Sequence, residues 1–165
     1  MLYLLDANVL ITANRQYYPI DRVPEFWDWL VHMGETGQIK IAQEVYEEFN
    51  DGEDMLAIWA NQHEIKLALL FDEVVDIDHV RLVTTSGYAP DLADDELEQL
   101  GRDPFLIAYA LSDLGNRTIV TTEVSKPKRM RANRHIPDVC ANFGVPCRNT
   151  FDLTTALDFK TSWKK

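Results

Sequence analysis

Three short apolar runs, each leading into an acid-bearing turn or helix, constrain the fold of this chain most. Leu2-Tyr3-Leu4-Leu5 ends at Asp6, Ile39-Lys40-Ile41-Ala42 is followed by Glu48, and Thr118-Ile119-Val120-Thr121 by Glu123. Runs this short, separated by stretches of helical period, read as buried parallel strands. In an open α/β sheet the residues just past the strand C-termini converge on one crevice. Asp103, at the head of Pro104-Phe105-Leu106-Ile107, adds a fourth acid to that set.

Around these runs the chain reads as strands alternating with helices. A helix is expected near 8–15, and another begins at Pro24 and is stopped by Gly34 and Gly37. Strand two covers 38–42, with a helix over 44–50 that Asp51-Gly52 breaks. A long amphipathic helix is expected over 53–70, then a third strand at Val74–Ile77 leading into a helix from Asp78. Ser86–Pro90 reads as a loop and Asp94-Asp95-Glu96 as an acidic helix start. Asp103-Pro104 has the form of an acidic N-cap with proline at the first helical position. The helix that follows is apolar on nearly every face, so it belongs in the centre of the fold. Thr118–Thr121 forms strand four, Pro137–Asn142 a short helix, Val145–Arg148 a last strand and Asp152–Phe159 a terminal helix. The pattern predicts a single α/β domain over residues 1–165, a sandwich on a mostly parallel central sheet.

Composition narrows the setting. No run approaches the length of a membrane span, and Asp6 and Asn8 interrupt the first apolar stretch, which argues against a signal peptide. Cys140 and Cys147 have no zinc-like spacing and read as buried, reduced thiols of a cytoplasmic protein. The charge is uneven. Five bases, Lys126, Lys128, Arg129, Arg131 and Arg134, sit in one stretch without an acid, on a chain whose formal net charge is −11. A polyanion would be repelled by most of this surface and accepted along that strip. The bland alternative is a solvated loop that offsets the acidic body.

Each of the four acids has an ordinary structural reading. Asp6 and Asp103 suit helix caps, Glu123 a solvated turn, and Glu48 the outer face of a helix that also carries Glu44 and Glu47. Together they are harder to dismiss. Two carboxylates about 5 Å apart at an effective dielectric near 20 repel by about 3 kcal/mol, so four in one crevice need protons or a cation. His32, His63, His79 and His135 show no i, i+4 pairing that would favour a softer metal. The set therefore points to one or two Mg²⁺ or Mn²⁺ ions that activate water and stabilise a leaving oxygen.

These residues also carry a family resemblance. Tyr3-Leu4-Leu5-Asp6-Ala7-Asn8-Val9-Leu10 resembles the opening motif of PIN domains, and Val45-Tyr46-Glu47-Glu48-Phe49 their second motif, which selects Glu48. Asp103-Pro104-Phe105-Leu106-Ile107-Ala108-Tyr109-Ala110 resembles the third, and Val120-Thr121-Thr122-Glu123 the fourth, with Glu123 where Asp is usual. The segment from His135 to Cys140, with Gly144-Val145, is similar to a prokaryotic subgroup, domain-of-unknown-function family 4411. The resemblance implies a three-layer α/β/α sandwich and a Mg²⁺/Mn²⁺-dependent endoribonuclease, the toxin of a type II toxin–antitoxin pair. It implies RNA as substrate and a cognate antitoxin as partner, allows a homodimer, and involves no membrane. Asp6, Glu48, Asp103 and Glu123 would be catalytic metal ligands, Asn8 and Thr121 their supports, and the basic strip the RNA contact.

Two other readings compete. A non-catalytic PIN-like binding module accommodates Glu123. A haloacid-dehalogenase-type phosphatase would also place an Asp after strand one, but Asn8 stands where its general acid belongs. Asp94-Asp95 also precedes the threonine strand instead of following it.

Overall fold

The computed structural model describes residues 1–164. Its centre is a sheet of four parallel strands in the order β2-β1-β3-β4, with β1 at Leu2–Leu5, β2 at Ile39–Lys40, β3 at Arg117–Val120 and β4 at Cys147–Arg148. Helices flank it, giving the α/β sandwich expected from the alternation. Leu4, Leu5, Ile119 and Val120 are fully buried, as strands covered on both faces must be. Parallel pairing needs helical crossovers, and these return each strand to the same end of the sheet.

The two innermost strands set the frame of the site. β1 and β3 pair in register from Leu2 with Arg117 to Leu5 with Val120, so Asp6 and Thr121 leave the sheet side by side. β2 lies on the other side of β1, and its chain turns into α3 (Gln43–Tyr46) just beyond Lys40. The C-terminal ends of β2, β1 and β3 therefore form one rim.

Packing explains the helices that hold this rim. α1 (Ala7–Thr12) follows β1 directly and buries Ala7, Val9 and Leu10. α2 (Pro24–Glu35) starts with proline at its first position and buries Phe26, Trp27, Trp29 and Leu30 at helical spacing. Fully burying each such side chain contributes about 1.5–3 kcal/mol. α8 (Asp103–Leu111) buries Pro104 and every residue from Leu106 to Ala110, which makes it the central helix its sequence suggested. α9 (Ile136–Phe143) and α10 (Thr150–Ala156) flank β4 in the chain.

Several expectations are corrected. The helix over 53–70 is two helices, α4 (Met55–Ala60) and α5 (His63–Leu69), separated by an extended Gln62. Asn61 causes the break: its amide donates to Ala57 O at 3.0 Å and to Asn50 O at 2.8 Å, closing α4. Val74–Ile77 is not a strand, and Val74 is 95% exposed. Leu70 makes the bridge to Ile41 instead, and Asp76 accepts from the Asp78 and His79 amides to start α6 (Ile77–Leu82). Ser86–Pro90 is only partly a loop, because α6 runs on through a π turn, Val83–Tyr88. Thr84 and Thr85 bond back to Val80 O and Arg81 O, the kind of side-chain competition that distorts a helix. The 44–50 helix is shorter than expected, and its last residues form a turn. No helix among the described residues is long and apolar enough to cross a membrane.

Candidate active site

Asp6 is the centre of the rim. It stands at the N-cap position of α1, yet its side chain makes no capping bond. Its Oδ2 instead accepts from Thr121 Oγ1 at 2.7 Å, and the Asp6 amide donates to Val120 O at 2.9 Å. Only 3% of Asp6 is exposed. Burial pushes its carboxyl above the usual range, the Thr121 hydroxyl opposes that shift, and the Glu123 charge adds to it.

Thr121 has a second task. Its Oγ1 also accepts from the Glu123 amide at 3.1 Å, so one hydroxyl ties the first acid to the turn bearing the fourth. Glu123 Oε2 accepts from the Ile136 amide at 2.7 Å, at the start of α9. One carboxylate oxygen of Glu123 is thus held by a helix start, where negative charge is favoured.

Asp103 departs from its sequence reading in an informative way. The N-cap of α8 is Arg102, Asp103 is the first helical residue, and no side-chain cap is made. Its carboxyl is pushed up to about 8, first by burial and then by the charges of Asp6, Glu123 and Glu48. A cap does not behave like that. Glu48 is raised too, by burial and then by Asp6, while the Arg102 amide donates to its Oε1 at 3.2 Å. Gly101 permits that approach: its φ is +54°, and a Cβ there would stand 3.3 Å from Glu48 Oε1.

The neighbouring acids lie elsewhere. Glu47 approaches the Arg102 guanidinium at 3.7 Å in an exposed pair. Glu44 lies against Tyr109, whose hydroxyl is pushed up to about 12 by burial, with the Glu44 charge adding to the effect.

The structure also brings in Tyr88, which the sequence reading missed because it fell in an expected loop. Tyr88 ends the π turn and is 7% exposed, and its hydroxyl is buried without a hydrogen-bond partner. Burial pushes that hydroxyl well above its ordinary range, and the charges of Asp103 and Glu123 reinforce the shift. Distortions of this kind recur at functional sites, but no sequence signal here marked the tyrosine.

The basic stretch divides into two groups. Arg131 is bound to Asp91 at 2.7 Å and to Glu96 at 2.7 Å, which pins the loop to α7 (Asp94–Leu100). Arg134 donates to Gly87 O and, at 3.1 Å, to Asp138 O. Both are internal fasteners and not the free docking groups expected of them. Lys126, Lys128 and Arg129 are exposed and form no ion pair among the described residues. Asn8 is exposed on the first turn of α1 beside Asp6.

With this geometry in place, the comparison with known families is decisive on one point. The family described as Domain of unknown function (DUF4411) matches residues 3–161. The chain belongs to that family. The match covers all four acids of this DUF4411 protein, the basic stretch and every strand except the first residue of β1. No curated protein and no solved structure matches this DUF4411 chain.

Chemically, the DUF4411 rim is a set of oxygen donors whose charges oppose one another. None of Asp6, Glu48, Asp103 and Glu123 forms an ion pair with Lys or Arg among the described residues. As they stand, no three Asp, Glu, His or Cys side chains among the described residues are close enough to hold one ion. The rim is therefore an open set of mutually repelling carboxylates.

Proposed function

We propose that this protein is a Mg²⁺- or Mn²⁺-dependent endoribonuclease with a PIN-like active site formed by Asp6, Glu48, Asp103 and Glu123. The observation that carries this reading is the gathering of four acids past adjacent strand ends, with Asp6 tied through Thr121 Oγ1 to the Glu123 turn, Glu48 held by the Arg102 amide, and no ion pair to Lys or Arg among the described residues. Natural folds pair or neutralise buried charge, and an uncompensated cluster of carboxylates matches a hard divalent cation. The orphaned Tyr88 hydroxyl beside the same acids supports a polar occupant such as water. The donors are all oxygens, as a hard cation requires, and holding one would need these carboxylates closer together than they stand.

A bound divalent cation supplies charge stabilisation for phosphoryl oxygens and a lower pKa for the attacking water. The residues of the chain do the rest. Thr121 fixes Asp6 in one rotamer and anchors the Glu123 turn. Arg102 and Gly101 hold Glu48 at the rim through the backbone amide. Asp103, whose carboxyl is pushed up to about 8 by burial and the neighbouring acids, would hold a proton near neutral pH and would give it up on ligating a cation. Lys126, Lys128 and Arg129 follow Glu123 closely in the chain and offer phosphate contacts at one end of the rim. We assign the protein to the toxin side of a toxin–antitoxin pair on its motif resemblance, and a small DNA-binding regulator in the adjacent reading frame is the corresponding expectation.

One observation favours a non-catalytic relative of the same fold. Glu123 already has an oxygen bonded to Ile136 N, so the longer acid is partly committed to structure. Incubating single-stranded RNA with the protein in Mn²⁺ separates the two readings. Cleavage that disappears in Asp6→Asn and with chelator supports the nuclease, whereas metal binding with intact RNA supports the binding module.

A further inference from the structure

The rim has two ends, and the basic strip occupies only one. Because the strand order is β2-β1-β3-β4, Glu48 and Glu123 lie on opposite sides of Asp6. Beyond Glu48 is a recess of about 140 Å³, with Glu48 itself on its lining. Asn14, Arg15, Asp51 and Asp54 make its accessible walls mostly polar, over Phe49 and Leu56, which are nearly buried. The π turn Ala13–Tyr17 presents Asn14 and Arg15 there, a second helical distortion beside the rim.

The polar groups are free to bind. Arg15 and Asp51 are exposed, and neither forms an ion pair among the described residues. Asn14 Oδ1 accepts from the Ile20 amide at 3.1 Å, which leaves its NH₂ as a donor. The recess thus offers carboxylate acceptors, an amide donor and one guanidinium.

We infer that this recess is a nucleotide subsite that seats one unpaired base of the RNA on the side of the rim opposite the basic strip, and that it selects a base bearing an exocyclic amine. The inference rests on the nuclease reading, which it deepens. Unpaired bases are read by hydrogen bonds to their exposed edges, which is what the polar walls of this recess supply. Asp51 accepts from an amine such as cytosine N4, whereas the O4 of uracil turns a lone pair toward the carboxylate. Arg15 takes the neighbouring phosphate, the only part of a nucleotide that this acid-lined recess would otherwise repel. A guanidinium from a protein partner is a poorer occupant, because Arg15 repels it. The RNA track then runs from Lys128 and Arg129, across the four acids, to Arg15.

The probes are labelled single-stranded oligo(C) and oligo(U), which differ in the C4 substituent facing Asp51. Binding is read by fluorescence anisotropy on the full chain in Ca²⁺, with probe integrity checked on a gel, and cleavage is read separately in Mn²⁺. Wild type is expected to bind oligo(C) about tenfold more tightly than oligo(U). Asp51→Asn, which introduces an amide donor, should erase or reverse that preference. Arg15→Gln should weaken both probes alike and lower the salt slope by about 0.7. Equal affinity for the two probes, or a preference unchanged by Asp51→Asn, overturns the subsite and leaves the nuclease reading untouched. Base discrimination without Mn²⁺-dependent cleavage upholds the subsite and removes the nuclease. Tighter capture of an arginine-rich peptide by Arg15→Gln, with RNA binding unaffected, overturns the subsite in favour of a protein partner.

Discussion

Thr121 donates its hydroxyl to Asp6 at 2.7 Å because Leu5 and Val120, the residues before them, are paired in register on adjacent parallel strands. The same oxygen accepts from the Glu123 amide. A side chain just past one strand therefore orients the central acid and the turn that bears Glu123.

Replacing that hydroxyl isolates its contribution. Thr121→Val keeps the shape but leaves Asp6 Oδ2 and the Glu123 amide without their partner. Losing a buried hydrogen bond in this way costs about 1–3 kcal/mol. Urea denaturation should show that loss for Thr121→Val and little of it for Thr121→Ser. Equal stability of the two variants would mean that the hydroxyl does not hold the rim.

Asp103 makes metal-free stability depend on pH. Its carboxyl is raised to about 8 in the folded chain from 3.8, so the folded state binds the proton more tightly than the unfolded state. That stabilisation is complete below pH ~4 and is lost as pH rises through about 8. Asp103→Asn should reduce this slope, leaving the part carried by Asp6 and Glu48, whose carboxyls are also raised by burial. In chelator, the variant should melt above wild type at pH 8 and converge with it towards pH 5, a gap on the order of a few kcal/mol at its widest. Glu96, held low near 2 by its hydrogen bond from Arg131, contributes the opposite trend only below pH ~4.5, outside that window. A constant difference between the two melting curves would contradict the assignment.

The basic stretch should separate into two phenotypes. Replacing Lys126, Lys128 and Arg129 together with Ala should leave the melting temperature unchanged and flatten the salt dependence of RNA binding by about two units. Arg131→Ala cuts the bonds to Asp91 and Glu96, so it should loosen the loop with little change in that slope. If Arg131→Ala alone carries the loss of salt dependence, its ion pairs open when RNA arrives.

Much of this was legible in the chain. Buried parallel strands have a strong signature, and Leu2–Leu5 and Thr118–Thr121 both appear within a residue of their expected places. α8 announced itself by being apolar all round. The strand expected at Val74–Ile77 failed because three apolar residues do not outweigh an Asp76 that can cap a helix. The break at Gln62 depends on where the Asn61 amide points, which helical period does not reveal. For the site, Asp6 followed from its strand end, and Thr121 from the motif resemblance. The cap that Asp103-Pro104 also suggested is not made, and the acids around Asp103 come from other elements that the helix signal does not reveal. Tyr88 was invisible because a π turn in a threonine-rich stretch looks like a loop.

The three acids Glu44, Glu47 and Glu48 should differ. Glu48→Gln should abolish Mn²⁺-dependent RNA cleavage, because Glu48 alone of the three is raised by Asp6 and held by the Arg102 amide. Glu47→Gln touches only an exposed pair and should be mild. Glu44→Gln alters the surroundings of Tyr109 and should change stability more than turnover. Loss of cleavage greatest in Glu44→Gln would mean that the helix presents another face to the rim.

Calorimetric titration of Mn²⁺ into the metal-free protein, repeated in buffers of different ionisation enthalpy, tests the metal site most directly. At pH 7 Asp103 still carries a proton that the cation must displace. Wild type should bind Mn²⁺ with release of about one proton, falling towards none at pH 9. Asp6→Asn should bind at least tenfold more weakly. Absence of Mn²⁺ binding by wild type, or identical binding by Asp6→Asn without proton release, would contradict the four-carboxylate metal site.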